Sequence, residues 1–306
     1  MQPLDCRLEV RFGPVYEFFN SLHTYICRKS HKKIDLSSSW AKETRSRLTP
    51  SFAAELDTME VNADWKHAYL LALLSPDYHS LPKFLAWLEG LTIGDMFELM
   101  SECVTQFPAN MGEFRSQLLS RLSLWNDQYF SSVNPRILSS LEAVAEERSA
   151  AALQMTAEAF MDETTNGMIF RETAALERII FIPQYHFQPV NVISDYSSTL
   201  MCHYSSRIYL GEEENLPPHD LRIIRCLGEQ SRLKILRYLQ QGPRSFIEIV
   251  RYLRLSKGIT HDHLSKLRSA GLIYAHFEGE TLVYYSLRSK QLDEIHRTLK
   301  QYIQQN

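Results

Sequence analysis

The sequence predicts a mainly α chain in two parts: a large helical N-terminal domain with a small β region, followed by a smaller basic module of helices and one ribbon. Three observations predict it. The stretch "YLGEEENLPPHD", Tyr209 to Asp220, gathers a glycine, three glutamates and two prolines; acidic runs stay solvated and proline continues neither a helix nor a central strand. Charge divides at the same place. From Leu216 to Asn306 there are 15 Lys and Arg against 8 Asp and Glu, a net +7, whereas the other 215 residues hold 18 and 28, a net −10. Finally, helical spacing of apolar residues gives way after Thr164 to β-branched and aromatic runs. These boundaries give an N-terminal domain at 1–208, a linker at 209–218 and a C-terminal domain at 219–306.

Composition narrows the function classes. With 306 residues and 44% apolar content, the chain can bury one large core or two ordinary ones. The start, "MQPLDCRLEV", lacks the basic and apolar regions of a signal peptide, and the apolar block "AYLLALL" is too short to span a bilayer. Five scattered cysteines without a CxxC pair argue for a reducing cytoplasm rather than a disulfide framework. No GxSxG, P-loop, GxGxxG or HExxH motif is present, so neither an enzyme nor a cofactor is expected.

Each N-terminal element has a local reason. "VYEFFNSLHTYI" follows Pro14 and sets Val15, Phe18, Phe19, Leu22 and Ile26 on one helical face. "DWKHAYLLALL" is a second helix, and "SLPKFLAWLEG" a third, opening at Ser80 with Pro82 in its first turn and stopping at Gly90. "PANMGEFRSQLLSRLSLWNDQYF" is helical as well. Asn134 then caps a long helix with Pro135 at its first position, with a stripe of Leu138, Leu141, Ala145, Ala152, Met155 and Ala159, ending near "TTNG" at Thr164 to Gly167. "LERIIFIPQYHFQPVNVIS" and "STLMCHYSSRIYL" read as two or three strands, with Pro183 and Pro189 at edges or turns.

In the C-terminal module, Leu221, Ile224 and Leu227 set up a first helix. "SRLKILRYLQQGP" is the second, with Ser231 as cap, Leu233, Leu236 and Leu239 inward, and Gly242–Pro243 as its stop. "SFIEIVRYL" is the third, opened by a Ser245/Glu248 capping box. After the turn "RLSKG" a fourth helix runs from about Ile259 to Ala270, with Ile259, Leu264 and Leu267 inward and Gly271 as terminator. "LIYAHFE", a "GE" tip and "TLVYYSL" make a ribbon. A last helix from Ser289 carries the apolar stripe Leu292, Ile295, Leu299 and Ile303.

Helices, a two-stranded wing and a closing helix make a winged helix-turn-helix, whose fourth helix enters the major groove. Its outer side offers Lys257, Gly258, Thr260, His261, Asp262, Ser265, Lys266 and Arg268. Arginine can bridge two guanine acceptors, aspartate accepts from cytosine, and serine or histidine can donate or accept; Lys266 and Arg268 also suit phosphates. Double-stranded DNA is therefore the expected partner, through the C-terminal domain alone, since the acidic part repels it.

Together, "LGEQSRLKILRYL", "LSKGITHDHLSKLRSAGLI" and "EGETLVYYSL" resemble the ArsR-type winged-helix repressors. The matching features are an arginine before "ILR.L", His263 just before the buried Leu264, an "AGL(I/V)" exit and a wing ending in "YY.L". The resemblance covers about the last third of the chain. It implies a bacterial transcriptional regulator, with repression as its action, working as a homodimer whose terminal helices pack across a two-fold axis, here through Leu221, Ile224, Leu292, Ile295, Leu299 and Ile303. Two features depart from the family. The third helix lacks the CxC pair of metal-sensing members, and the wing tip carries Glu278 and Glu280 instead of basic residues. The N-terminal part resembles, more loosely, the regulatory extension of some longer Firmicute-type regulators, which implies architecture and no particular ligand; a domain that senses a signal, with a small-molecule effector as partner, is the expectation for it.

The alternative is a protein–protein interaction module that uses the same fold without DNA, favoured by the acidic wing tip. No metal site is expected: His261 and His263 are two apart and do not share a helix face, and Asp293 with His296 reads as a surface pair. Cys202–His203 reads as packing, and Tyr185, His186 and Phe187 either line a pocket or pack in the core.

Overall fold

A computed structural model of the chain describes residues 6–171, 173, 175–210 and 216–304. In chain order the elements are β1 (Arg7–Val10), α1 (Pro14–Ile26), α2 (Ser37–Arg47), α3 (Pro50–Thr58), α4 (Ala63–Leu74), α5 (Leu81–Gly90), α6 (Ile93–Ser101), α7 (Met111–Gln128), α8 (Pro135–Ala152), α9 (Ala157–Thr165), β2 (Met168–Arg171), β3 (Arg178–Gln184), β4 (Val192–Tyr196), β5 (Thr199–Ser205), α10 (Pro218–Leu227), α11 (Gln230–Leu239), α12 (Phe246–Leu253), α13 (Lys257–Ser269), β6 (Ile273–Glu278), β7 (Thr281–Leu287) and α14 (Lys290–Gln304). The fold is mainly α with a small β part, as the sequence predicts. None of the described helices is long and apolar enough to cross a membrane, and all five cysteines are free. Residues 211–215 of the expected linker lie outside the described residues.

The chain divides into two units, one made of Arg7–Ala150 and Ala175–Ile208, the other of the described residues in 151–174 and 209–306. The sequence reading put 151–174 inside the N-terminal domain; in the structure this segment joins the C-terminal unit. The reason is local. The long helix expected to run past Ala159 stops at Ala152, and Leu153 is 90% exposed, so nothing packs there to carry it on. Thr156 starts α9 by accepting from the amide of Ala159. The β2 strand then pairs parallel with β6, from Met168 opposite Ala275 to Arg171 opposite Glu278.

In the larger unit, β1, β3, β5 and β4 form one sheet in that order, parallel except for the β4–β5 pair. β3 and β5 are central and almost wholly buried, which explains their unbroken apolar runs. Pro183 sits inside β3 rather than at a turn, beyond the end of β1, where β3 has one neighbour only. Helix α1 is buried all round instead of on one stripe. Its polar side chains find partners: Ser21 and Thr24 donate back to the carbonyls of Phe18 and Asn20, both at 2.7 Å. Asn20 accepts from Tyr69 Oη (2.9 Å) and bonds His203 Nδ1 (2.8 Å), while Trp65 Nε1 donates to His23 Nδ1 at 2.9 Å. Burial pushes His23 down to about 4 and His203, beside it, down to about 3.

In the C-terminal unit the sheet order is β2-β6-β7, so the expected two-stranded wing has a third strand taken from residues 168–171. A buried ion pair locks it. Asp162 of α9 accepts from Arg288 Nε at 2.6 Å and from the Tyr274 hydroxyl at 3.1 Å, and also pairs with Lys290. The other end of the Arg288 guanidinium donates to the Gly271 carbonyl (2.9 Å), Gln291 Oε1 (2.6 Å) and Asn166 Oδ1 (3.2 Å). Gly271 is required here: its φ is +67°, and a Cβ on it would lie 2.1 Å from Asn166 Oδ1. The capping box Ser245/Glu248 forms as expected. Ser231, expected to cap α11, does not; Glu229 does, its carboxylate accepting from the amides of Ser231 and Arg232. Leu233, expected inward, is 46% exposed, and Ile235 fills the core in its place.

Two outcomes follow. A histidine whose folded pKa is lowered binds fewer protons folded than unfolded. Its contribution is complete above its ordinary value of 6.5 and declines as pH falls from there toward the folded value. Lowering the pH to 4 costs the larger unit roughly 3 kcal/mol per ring, seen as a falling urea midpoint, and His203→Asn flattens that slope. In the C-terminal unit, Asp162→Ala strands the Arg288 charge and costs about 3–5 kcal/mol in urea unfolding, whereas Asp162→Leu with Arg288→Met recovers most of it.

Candidate nucleic-acid interface

The helix pair α12–α13 is joined by a three-residue turn. Arg254 closes α12 in the left-handed region (φ 56°), its amide bonding the Val250 carbonyl. Ser256 opens α13 by accepting from the Ile259 amide at 3.3 Å. Thr260, Leu264, Leu267 and Ala270 are completely buried and fix which side of α13 faces the module. Lys257, Gly258, His261 and Lys266 are exposed on the other side, with Asp262 and Ser265 half-buried beside them. His261 with Ser265, and Asp262 with Lys266, are each one turn apart, so the outer face is continuous. Lys266 Nζ holds Asp262 Oδ2 at 2.8 Å. A Cβ on Gly258 would meet nothing within 4 Å, so the fold itself does not demand a glycine there.

Several expected residues are placed differently. Thr260 has no exposed surface and cannot touch a base; it, not Ile259, belongs to the inner stripe. Ile259 is 50% exposed. The spacing carried this signal: 260, 264 and 267 fall at helical intervals, whereas 259 is five residues from Leu264. Ile259 thereby adds an apolar contact on the outer face suited to a thymine methyl. Arg268 is half-buried with its guanidinium over the Phe277 ring at 5.4 Å, and burial lowers its pKa. It braces α13 against β6 rather than reaching outward. His263 turns to Glu229, Nδ1 to Oε2 3.6 Å, and so links α13 to the cap of α11. Arg232, the arginine preceding "ILR.L", is buried and donates to the carbonyls of Cys226 and Arg225, finishing α10. In the apolar stripe of α14, Ile295 is 4% exposed and belongs to the module's own core.

Three further cations escaped the sequence reading. Arg251 and Arg254 are exposed on α12 and the turn, flanking the start of α13. Arg171 reaches the wing from β2, where it lies over the Tyr284 ring at 4.5 Å and pairs with Glu278 at 3.3 Å. No local pattern could have found Arg171, because its position depends on a strand pairing across about a hundred residues. The β6–β7 reversal is a two-residue loop with Gly279 at φ 56°. Next to it His276 stacks on Tyr284 at 4.1 Å and is pushed down to about 4 by burial, with Arg171 adding to the effect. Among the described residues no group of three or more His, Cys, Asp or Glu is gathered so as to hold a metal ion.

Residues 229–275 match the arsR family of bacterial regulatory proteins. The match begins at the Glu229 cap and spans α11, the α12–α13 pair and β6 as far as Ala275, and it supports DNA-binding transcriptional regulation. No curated protein and no solved structure matches the chain. Arg268→Ala lowers stability by roughly 1 kcal/mol through lost cation–π and stem packing. It leaves base preference unchanged, as urea unfolding and competition gel shifts will show.

Proposed function

We propose that the chain is a sequence-specific, bacterial, cytoplasmic DNA-binding repressor that acts as a homodimer and whose N-terminal unit senses a small-molecule effector. The observation that carries the DNA-binding part is the outer face of α13: Lys257, Gly258, Ile259, His261, Asp262, Ser265 and Lys266 form one surface on a helix whose inner side is fixed by Leu264 and Leu267. His261, Asp262 and Ser265 supply base-edge donors and acceptors; Lys257, Lys266, Arg251 and Arg254 supply phosphate contacts. Gly258 allows the backbone of α13 to come close to a phosphate or sugar.

Support for the homodimer lies on α10 and α14, which pack together. Ile303 is 76% exposed and Tyr302 42%, while Leu221, Ile224, Leu292 and Leu299 are half-buried in the single chain. A second copy would cover this stripe and set two α13 helices about 34–36 Å apart on a near-palindromic site. The interaction-module reading drew on an acidic wing tip. Arg171 now offsets Glu278 there, which weakens the case for that reading.

A gel-shift titration with genomic fragments over a range of salt tests this function. The expected affinity falls steeply as salt rises, because phosphate contacts release counterions; a flat response rejects DNA binding. Lys266→Ala weakens binding to all sequences alike and lowers the salt slope by about one, whereas Ser265→Ala or His261→Ala costs roughly 1–3 kcal/mol of discrimination at one base position.

A further inference from the structure

The larger unit has a cleft of about 260 Å³ between α2, the start of α8 and the turn after β3. It is lined by Trp40, Thr44, Arg47, Tyr129, Tyr185 and His186, with Glu43 and Asn134 at the rim. Beneath it lies a charged group with no access to water. Glu17 of α1 is 0% exposed and His186 1%. The carboxylate accepts from the Tyr185 and His186 amides and meets His186 Nδ1 at 2.5 Å. On the far side of the ring, Nε2 meets the Tyr129 hydroxyl at 2.8 Å, and that hydroxyl also accepts from Trp40 Nε1 at 2.8 Å. A carboxylate can only accept, so a ring proton sits on Nδ1, facing Glu17; in the neutral ring Nε2 then accepts the phenol's proton. The relay Glu17–His186–Tyr129–Trp40 therefore runs from the core to the cleft wall.

A buried carboxylate costs several kcal/mol of desolvation, and well-packed apolar residues fill a core at least as well. Buried, mutually oriented polar groups at a cleft mark a functional site. Here they hold two aromatic walls rigid. Trp40 and Tyr185 are half-buried and leave ring surface toward the cleft. Arg47, on the exposed end of α2, makes no hydrogen bond or ion pair among the described residues. Glu43 sits one turn earlier, so the rim carries both signs. Burial raises the Tyr129 pKa, and the Trp40 hydrogen bond and the Arg47 charge pull against it. The N-terminal end of the 18-residue α8, at Asn134, adds positive potential to the same opening.

We propose that this cleft binds a small planar carboxylate, an aromatic or heteroaromatic acid, with its ring against Trp40 and Tyr185 and its carboxylate on Arg47. This gives a chemical class to the effector, and so rests on the reading of the larger unit as the sensing part. The volume admits one or two fused rings.

Isothermal titration of the full-length protein with benzoate and indole-3-carboxylate tests it, with benzylamine and benzamide as controls. Saturable binding of the two acids is expected, with Arg47→Ala weakening it by about tenfold, the loss of one charge-assisted contact, and Arg47→Lys restoring part of it. Arg47 is exposed, so its variants keep the fold. Failure of both acids to bind at millimolar concentration overturns the proposal. So does benzylamine binding as tightly as the acids and losing affinity with Glu43→Gln but not with Arg47→Ala. Gel shifts on the same preparations keep the two readings apart: a protein that shifts DNA but ignores the acids sinks only the cleft, and one that binds the acids but never shifts DNA sinks only the regulator.

Discussion

The Asp162–Arg288 pair is the constraint on which the C-terminal unit depends. Both groups are almost wholly buried, and Arg288 satisfies its remaining donors on Gly271, Gln291 and Asn166. That one guanidinium ties together the end of α9, the exit from α13 and the first turn of α14. The exit glycine has no freedom left: Asn166 occupies the space a side chain would need. The orientation of α13 is thus set on its inner side by leucines and at its C-terminal end by an ion pair. Water would weaken such a pair; burial strengthens it and makes the loss of either member costly.

Charge divides later in the chain, at Leu216, with the acidic 151–174 segment on the other side of that boundary although it belongs to the C-terminal unit. The part from Leu216 on is basic and the remainder acidic, so a polyanion is attracted to the first and repelled by the second. In the basic part, several of the cations are engaged within the fold. Arg232 and Arg288 are structural and Arg268 stacks on Phe277; Lys266 is shared with Asp262. Arg251, Arg254 and Lys257 remain as exposed cations at the entry to α13. Counting lysines and arginines therefore overstates the phosphate contacts this module can make.

The sequence made legible whatever depends on local periodicity and end chemistry. The capping box at Ser245, the glycine stop at Gly271, the leucines of α13 and the α12–α13 pair follow from side chains within a few residues of one another. Three kinds of feature were not legible. A four-residue interruption from Leu153 broke a helix whose alanines and leucines have good intrinsic propensity. β2 pairs with a strand about a hundred residues away, so its membership in the wing sheet is a tertiary fact. Burial on all sides of α1 hid Glu17 and Asn20 as polar positions, because their partners, His186 and His203, come from the β region at the other end of the unit. In the candidate site, Thr260 was misassigned because a hydroxyl looks solvent-seeking; at 0% exposure it fills a gap beside Leu264.

Under the proposed function, the path of the chain limits how an effector in the larger unit can act on DNA. A ligand shifts an equilibrium only as far as its affinity differs between two arrangements. The 209–218 segment is one covalent link between the units, and residues 211–215 of it lie outside the described residues. The α9–β2 segment is different in kind. It leaves the larger unit after α8 and re-enters it before β3, and in between it is pinned to β6 by strand pairing and to Arg288 by Asp162. A ligand at the start of α8, where the cleft lies, acts on the same helix whose far end leads into α9. Between the two helices lie residues 153–156, with Leu153 90% exposed, so a change in α8 reaches the C-terminal unit only along the backbone of that break. Under the proposed function α9–β2 is therefore a second covalent route from effector to operator, one whose far end is held within the C-terminal unit by strand pairing and a buried ion pair.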